Sequence, residues 1–219
     1  MGDAAAIFKA YDVRGLVPEQ FDADLARSIG GAFGRLVRTE EPATTSVAVA
    51  RDMRPSGEEL SAAFTAGVTA QGLDVVDIGL ASTDMLYFAS GHLGIPGAVF
   101  TASHNPAGYN GIKMCLSFAR PIGIDTGLSA MRDDVLGGGG AADDVDRTGT
   151  VTTADLLDGF ADHVRSFIDV SALRRLRVVA DTANGMGGLV VPAVFAALPV
   201  DLEVLFPELD GTFPNHPAD

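Results

Sequence analysis

Residues 97–106 read Gly97-Ala98-Val99-Phe100-Thr101-Ala102-Ser103-His104-Asn105-Pro106. The first residues are small, β-branched or aromatic and carry no charge, which predicts a short buried strand from Gly97 to Thr101. The rest is polar and turn-forming and closes on a proline, so the chain must leave the strand there. That puts Ser103 on a tight, polar turn. Seven residues on, Asn110-Gly111-Ile112-Lys113 returns a lysine towards the same place. A serine hydroxyl on such a turn beside an ammonium is one way to present a nucleophile for covalent phosphoryl chemistry.

Strands and helices alternate outward from this stretch. Ser46 to Arg51 reads as a strand and Ser56 to Gln71 as a helix, with Ser56 as N-cap and Glu59 three residues on. Asp74 to Ile78 is a second strand, and Ser82 to His92 is helical. Lys113 to Leu116 is extended and Thr126 to Val135 is helical. This alternation predicts an α/β fold, βαβ units around a mixed or parallel sheet. Ligands of such sheets collect at the carboxyl ends of the strands, where Ser103 falls.

Gly137-Gly138-Gly139-Gly140-Ala141-Ala142-Asp143-Asp144 is the one low-complexity stretch and marks a boundary. The expected division is a first domain over 1–150 and a second over 151–219. In the second, Thr152 or Thr153 caps a helix to about Ile168, Arg177 to Asp181 and Asp201 to Phe206 are strands, and Gly187 to Ala197 is the helix between them. A single strand-helix-strand unit leaves that second domain incomplete, and it should leave apolar surface uncovered around Val190 to Leu205.

The 219 residues are 47% hydrophobic, enough for a real core. The net charge of −14 excludes a basic nucleic-acid-binding surface, though not a small phosphorylated ligand in a locally positive cleft. No apolar run is long enough to span a membrane, and the N-terminus has no signal-peptide order. The single cysteine, Cys115, allows no internal disulfide and fits a reducing cytoplasm. Of the 15 basic residues only Lys9 and Lys113 are lysines.

The segment Thr101-Ala102-Ser103-His104-Asn105-Pro106 and the Asn110 to Lys113 run resemble motifs of the α-D-phosphohexomutase family. Phe8-Lys9-Ala10-Tyr11-Asp12-Val13-Arg14-Gly15 and Asp210-Gly211-Thr212-Phe213-Pro214-Asn215-His216-Pro217 extend the likeness in the same order. Asn110 to Cys115 and Pro121 to Leu128 favour the bacterial phosphomannomutase/phosphoglucomutase branch over phosphoglucosamine mutases. The resemblance covers essentially the whole chain, yet members of the family have four domains, so it implies the N-terminal part of a mutase: a mixed-sheet domain I and part of a domain II of similar type.

The implied activity interconverts hexose 1-phosphate and hexose 6-phosphate, of mannose, glucose or both, through a hexose 1,6-bisphosphate. Ser103 is the implied phosphoserine, with Arg14 and Lys113 beside it. Mg²⁺ would bridge the Ser103 phosphate and three aspartates of an Asp-Gly-Asp-x-Asp-Arg loop, a run absent from this sequence. A non-catalytic fragment is therefore the competing reading, and activity would need the missing C-terminal domains or a complementing chain.

Each candidate also has a plainer reading. Ser103 could merely cap a helix. Arg14 could pair with Asp12 in a turn, and Lys113 could be a solvated strand-edge residue. His104 could orient a phosphate, pass a proton or bond the loop backbone. Tyr11 is either a substrate contact or buried. Asn105 and Asn110 shape loops, Arg51, Asp52 and Arg54 at a strand-to-helix turn read as an internal ion pair, and Asn184 to Gly188 is a tight turn. Met114, Cys115 and Phe118 read as core, and His92, His163 and His216 lack metal-ligand spacing.

Overall fold

A computed structural model describes residues 4–139 and 145–218. Its centre is β2 (Ser46–Arg51), whose inner four residues, Val47-Ala48-Val49-Ala50, are all buried. Small and β-branched side chains without alternation suit a strand covered on both faces. Parallel neighbours flank it, β3 (Asp74–Leu80) on one side and β4 (Gly97–Phe100) on the other. β5 (Tyr109–Leu116) runs antiparallel beside β4 and pairs in turn with β1 (Val13–Leu16) and the short β6 (Arg120–Pro121). With β7 (Val151–Thr153) the resulting seven-stranded mixed sheet has the order β1-β5-β4-β2-β3-β7, β6 lying off this path beside β5.

One face of this sheet is covered by α1 (Ala23–Glu40), α2 (Gly57–Thr69) and α4 (Leu128–Leu136). Ile29, Phe33, Phe64 and Phe100 pack between them, with Phe64 edge-on to Phe100 at 5.4 Å. Glycine lets α1 and α2 touch: a Cβ on Gly67 would stand 2.1 Å from the Arg27 carbonyl. Such glycines in α1 (Gly30, Gly31, Gly34) also dilute its helical signal, and neither α1 nor β1 was among the elements expected from the sequence. The other face is covered by α3 (Thr83–Leu93), N-capped by Ser82, and α5 (Leu157–Arg165), with Ala48, Ala50, Leu86, Val99 and Phe160 in the second core.

Four local expectations need correction. Thr152 and Thr153 do not cap a helix; Val151–Thr153 forms β7, which adds parallel to the edge of β3, and α5 begins at Leu157 without a side-chain cap. Ser56 precedes α2 in helical conformation but makes no cap bond; its hydroxyl accepts instead from Asn110 Nδ2 at 2.9 Å. Phe118 is 74% exposed, because Phe118 and Ala119 form a left-handed reversal (φ 60° and 57°) between β5 and β6. Tyr11 is not buried either, at 78% exposed.

Beyond α5 a second, two-stranded parallel sheet pairs β8 (Leu176–Asp181) with β9 (Val200–Leu205), joined by α6 (Gly187–Phe195). Arg165 of α5 reaches the end of α6 and donates to the Ala193 and Val194 carbonyls at 2.8 and 3.0 Å. A cation there satisfies carbonyls that the helix leaves open. Among the described residues no helix is long and apolar enough to cross a membrane.

Candidate active site

β4 delivers the chain into a loop held by its own polar groups. Ser103 N donates to Thr101 Oγ1 at 3.0 Å and Asn105 N donates to the Ala102 carbonyl at 3.0 Å. Ser103 has φ 53°, the left-handed region that non-glycine residues seldom occupy outside special sites. Its side chain is exposed, and its Oγ lies 3.5 Å from His104 Nδ1. The serine does not cap a helix, for the next element is β5.

Arg14 and Lys113 come together through pairing across β1 and β5. Val13 lies opposite Ile112, so Asp12, Arg14 and Lys113 share one side of the sheet. Asp12 Oδ2 accepts from Arg14 Nη2 at 2.6 Å and from Lys113 Nζ at 3.1 Å. Arg14 therefore has the turn pairing with Asp12, yet it does more: Nη1 donates to Asn105 Oδ1 at 2.6 Å. Two cations share one carboxylate, and one of them grips the serine loop. The trio carries a surplus positive charge on a strongly acidic chain. Asn110 shapes the far side of the loop, its Oδ1 accepting from Gly111 N at 2.8 Å.

Ser103 opens on a cleft of about 300 Å³ lined also by Asp52, Thr101, Thr182, Met186 and Phe213, and by Ser82 to Asp84 at the start of α3. The carboxyl ends of β2, β4 and β8 thus meet around one space, with the left-handed Ala183-Asn184 turn (φ 47° and 59°) closing it. Tyr11 stands apart against Gly123, and neither Arg14 nor Lys113 lines the cleft itself.

The ion pair of Asp52 and Arg54 is present at 3.3 Å with both side chains buried. Burial pushes the Asp52 carboxyl up, opposed by the Arg54 amide and the Thr101 hydroxyl. Burial likewise lowers the Arg54 guanidinium, opposed by Asp52. Sequence reading missed what else Arg54 does: its Nη atoms donate to four backbone carbonyls of residues 103–109. The available signal was an arginine in the turn between β2 and α2.

Magnesium fits poorly here. Among the described residues no group of three or more His, Cys, Asp or Glu side chains is placed to hold a metal ion. Asp52, beside the cleft, is engaged by Arg54 and by its own turn.

Residues 5–130 match the family described as phosphoglucomutase/phosphomannomutase, alpha/beta/alpha domain I. The chain belongs to the phosphoglucomutase/phosphomannomutase family. A protein of Xanthomonas campestris named "Phosphohexose mutases" is 41% identical over 212 residues, covering 95% of this chain and 45% of the relative. The Escherichia coli phosphomannomutase is 37% identical over 214 residues, again covering 95% of this chain and 46% of the relative. A phosphoglucomutase/phosphomannomutase family structure from Burkholderia thailandensis superposes with TM-score 0.85 at 35% identity, over 97% of this chain and 46% of that one. The putative phosphomannomutase from Thermus thermophilus shares the fold at TM-score 0.80 and 23% identity, over 94% of this chain and 47% of that one. This chain spans about half the length of the curated relatives it matches.

Proposed function

We propose that this chain carries the nucleophile of a hexose-phosphate mutase that moves a phosphoryl group between O1 and O6 of a hexose. One observation carries the reading. Ser103 is an exposed hydroxyl on a left-handed turn at the carboxyl end of a central strand, with two cations gathered by one carboxylate behind its loop. Phosphoryl transfer asks a protein chiefly for position and positive charge around the transferring oxygens.

In the forward half, phospho-Ser103 gives its phosphoryl group to the free sugar hydroxyl. The bond from Oγ to phosphorus breaks as the sugar oxygen bonds to phosphorus, and the hydroxyl proton passes to the released Oγ. The product is a hexose 1,6-bisphosphate. After it turns around, the same steps in reverse return its other phosphate to Ser103. Arg14, its Nη atoms held by Asp12 and Asn105, adds fixed positive charge behind the loop, and Lys113 a movable point charge. His104, 3.5 Å from Oγ, orients the phosphate or relays the proton. Tyr11, exposed, is available to the sugar.

The division into a domain I over 1–150 and a partial domain II over 151–219 falls beside residues 140–144, which lie outside the described residues, and β7 and α5 of the second part pack on the sheet of the first. Mg²⁺, which the family resemblance implies, would need carboxylates that the described residues do not group. That same observation favours a second reading, a chain that takes up phosphate yet turns nothing over on its own.

The experiment is intact-mass and peptide mapping after exposure to glucose 1,6-bisphosphate, followed by a coupled assay with glucose, mannose and glucosamine 1-phosphates. One phosphoryl group at Ser103, lost entirely in Ser103→Ala, is the expected result. Stable phosphate elsewhere with Ser103 bare would sink the assignment. Mutase turnover by the pure 219-residue chain would overturn the second reading.

A further inference from the structure

The largest fully buried side chain among the described residues is a charged one, Arg54. A guanidinium has five N–H donors fixed in one plane. Nη2 donates to the Ser103 and Asn105 carbonyls at 2.8 and 2.6 Å, and Nη1 to the Pro106 and Tyr109 carbonyls at 2.8 and 2.9 Å. Nε faces Asp52 Oδ2 at 3.3 Å, while Asp52 Oδ1 accepts from the Arg54 amide at 2.9 Å. The planar group thus gathers the inner rim of the serine loop and is itself held from behind.

Ser103 needs such support. At φ 53° its backbone is one that a serine adopts only where its surroundings hold it there. Return to the extended region would swing the Ser103 carbonyl off Nη2 and re-aim Oγ. A second segment seats the guanidinium from outside. The Phe213 ring lies 5.2 Å from Arg54 Cζ, within cation–π range. Gly211 packs so closely that a Cβ there would stand 2.6 Å from Arg54 Cα. The turn itself is tied down, since Asp210 accepts from Thr212 N and Oγ1 at 2.9 and 2.7 Å, and Asp210 N donates to the Asn184 carbonyl at 2.9 Å.

We propose that Arg54 is the positioning residue for Ser103, and that it makes the serine's aim depend on the 210–213 turn seated on its opposite face. The proposal rests on Ser103 being the phosphoryl acceptor, since only then does its aim govern a rate. Lysine cannot replace Arg54, because an ammonium has no planar fork to span four carbonyls.

The test uses the 219-residue chain with Arg54→Lys and Phe213→Ala. Two quantities are read: amide hydrogen exchange of residues 103–109 against β2 and β4, and the rate of phosphoryl uptake at Ser103 from glucose 1,6-bisphosphate. In Arg54→Lys, loop exchange should rise at least about tenfold with the strands unchanged, and uptake should fall by about 10²-fold, the cost of a misplaced reacting group. Free guanidinium ion at low millimolar concentration should restore part of the uptake in Arg54→Ala. Phe213→Ala should loosen the loop about threefold without touching the strands.

Loop exchange equal to that of the parent chain in Arg54→Lys, or in Phe213→Ala, overturns the proposal. Should Arg54→Lys fail to fold, Phe213→Ala decides alone. If the parent chain takes up no phosphate yet loop exchange responds as stated, the functional reading fails and the control of the loop by Arg54 stands.

Discussion

β4 has four residues and β8 six, each neighbours a helix in sequence, and they end in opposite circumstances. Every residue of β4 is buried, because α1 and α2 cover one face of its sheet and α3 the other. β8 and β9 alternate half-buried with exposed residues, because α6 covers one face and nothing described covers the other. Val179 is 55% exposed on that open face. Local sequence forms the strand in both places. What differs is the number of layers, and most stability comes from the layers.

The largest effect that can test this contrast is a pair of truncations. Phe64→Ala, in the centre of the first core, should cost about 3–5 kcal/mol. Leu202→Ala, half-buried on the one-sided sheet, should cost about 1 kcal/mol. Urea unfolding followed by hydrogen exchange separates the two, with β8 and β9 opening before β2 and β4. Equal costs would mean that the second sheet is as well covered as the first.

Lys113→Met asks whether the chemistry belongs to the better-covered region. It should slow phosphoryl uptake at Ser103 by roughly 10²–10³, the usual effect of one preorganised charge, with the unfolding midpoint little changed. A fall in affinity for the bisphosphate with the transfer rate intact would make Lys113 a binding residue.

Much of the fold was readable because buried strands write themselves in composition, as Val47 to Ala50 do; caps did not, since the expected Ser56 and Thr152 or Thr153 cap nothing while Ser82 and Asp22 do. α1 was legible in its apolar spacing, Ile29, Phe33, Leu36 and Val37 behind the Asp22 cap, and only the low helix propensity of its glycines spoke against it. Phe118 was misread because its exposure follows from a left-handed reversal that an apolar residue does not announce. For the site, Ser103, Lys113 and Arg14 stood out by motif. Asp12 as the shared carboxylate and Arg54 as the clasp did not, since both act through strand register and backbone carbonyls.

A smaller effect is expected from the open face. Val179 stands among Arg177, Asp181, Asp201 and Glu203 on the open face, across from Glu203, which already meets Arg177 at 3.6 Å, so Val179→Lys would only add a second cation beside that pair. Stability should move by no more than about 0.5 kcal/mol in urea unfolding. A larger loss would mean that the open face is covered after all.

The smallest effect concerns pH and touches only the second region. His216 meets acceptors at both ring nitrogens, the Pro217 carbonyl at 2.8 Å and Asp181 at 3.1 Å, which calls for an imidazolium. The Pro217 carbonyl first, then Asp181, raise it above the ordinary 6.5. The Ala183 amide first, then His216, hold Asp181 below the ordinary 3.8. The histidine's contribution is complete below 6.5 and fades as pH rises through its folded value; the aspartate's is complete above 3.8 and fades as pH falls through its own. NMR titration should show His216 ionising above 6.5, and Asp181→Asn should bring it down. A His216 titration that ignores Asp181→Asn would break the pairing.

β7 has a consequence for how the molecule can be cut. It closes the free edge of β3, and Arg147 and Thr150 both bond to Asp74 at the seam. Arg147, the chief cause, and Thr150 hold that carboxyl down to about 2. The joint keeps its charge until strong acid: its contribution is whole above 3.8 and fades only as pH falls towards 2. Trimming the chain before Val151 would therefore peel a stave from the sheet and leave Asp74 to Leu80 as a sticky hem, ready to borrow a strand from another molecule.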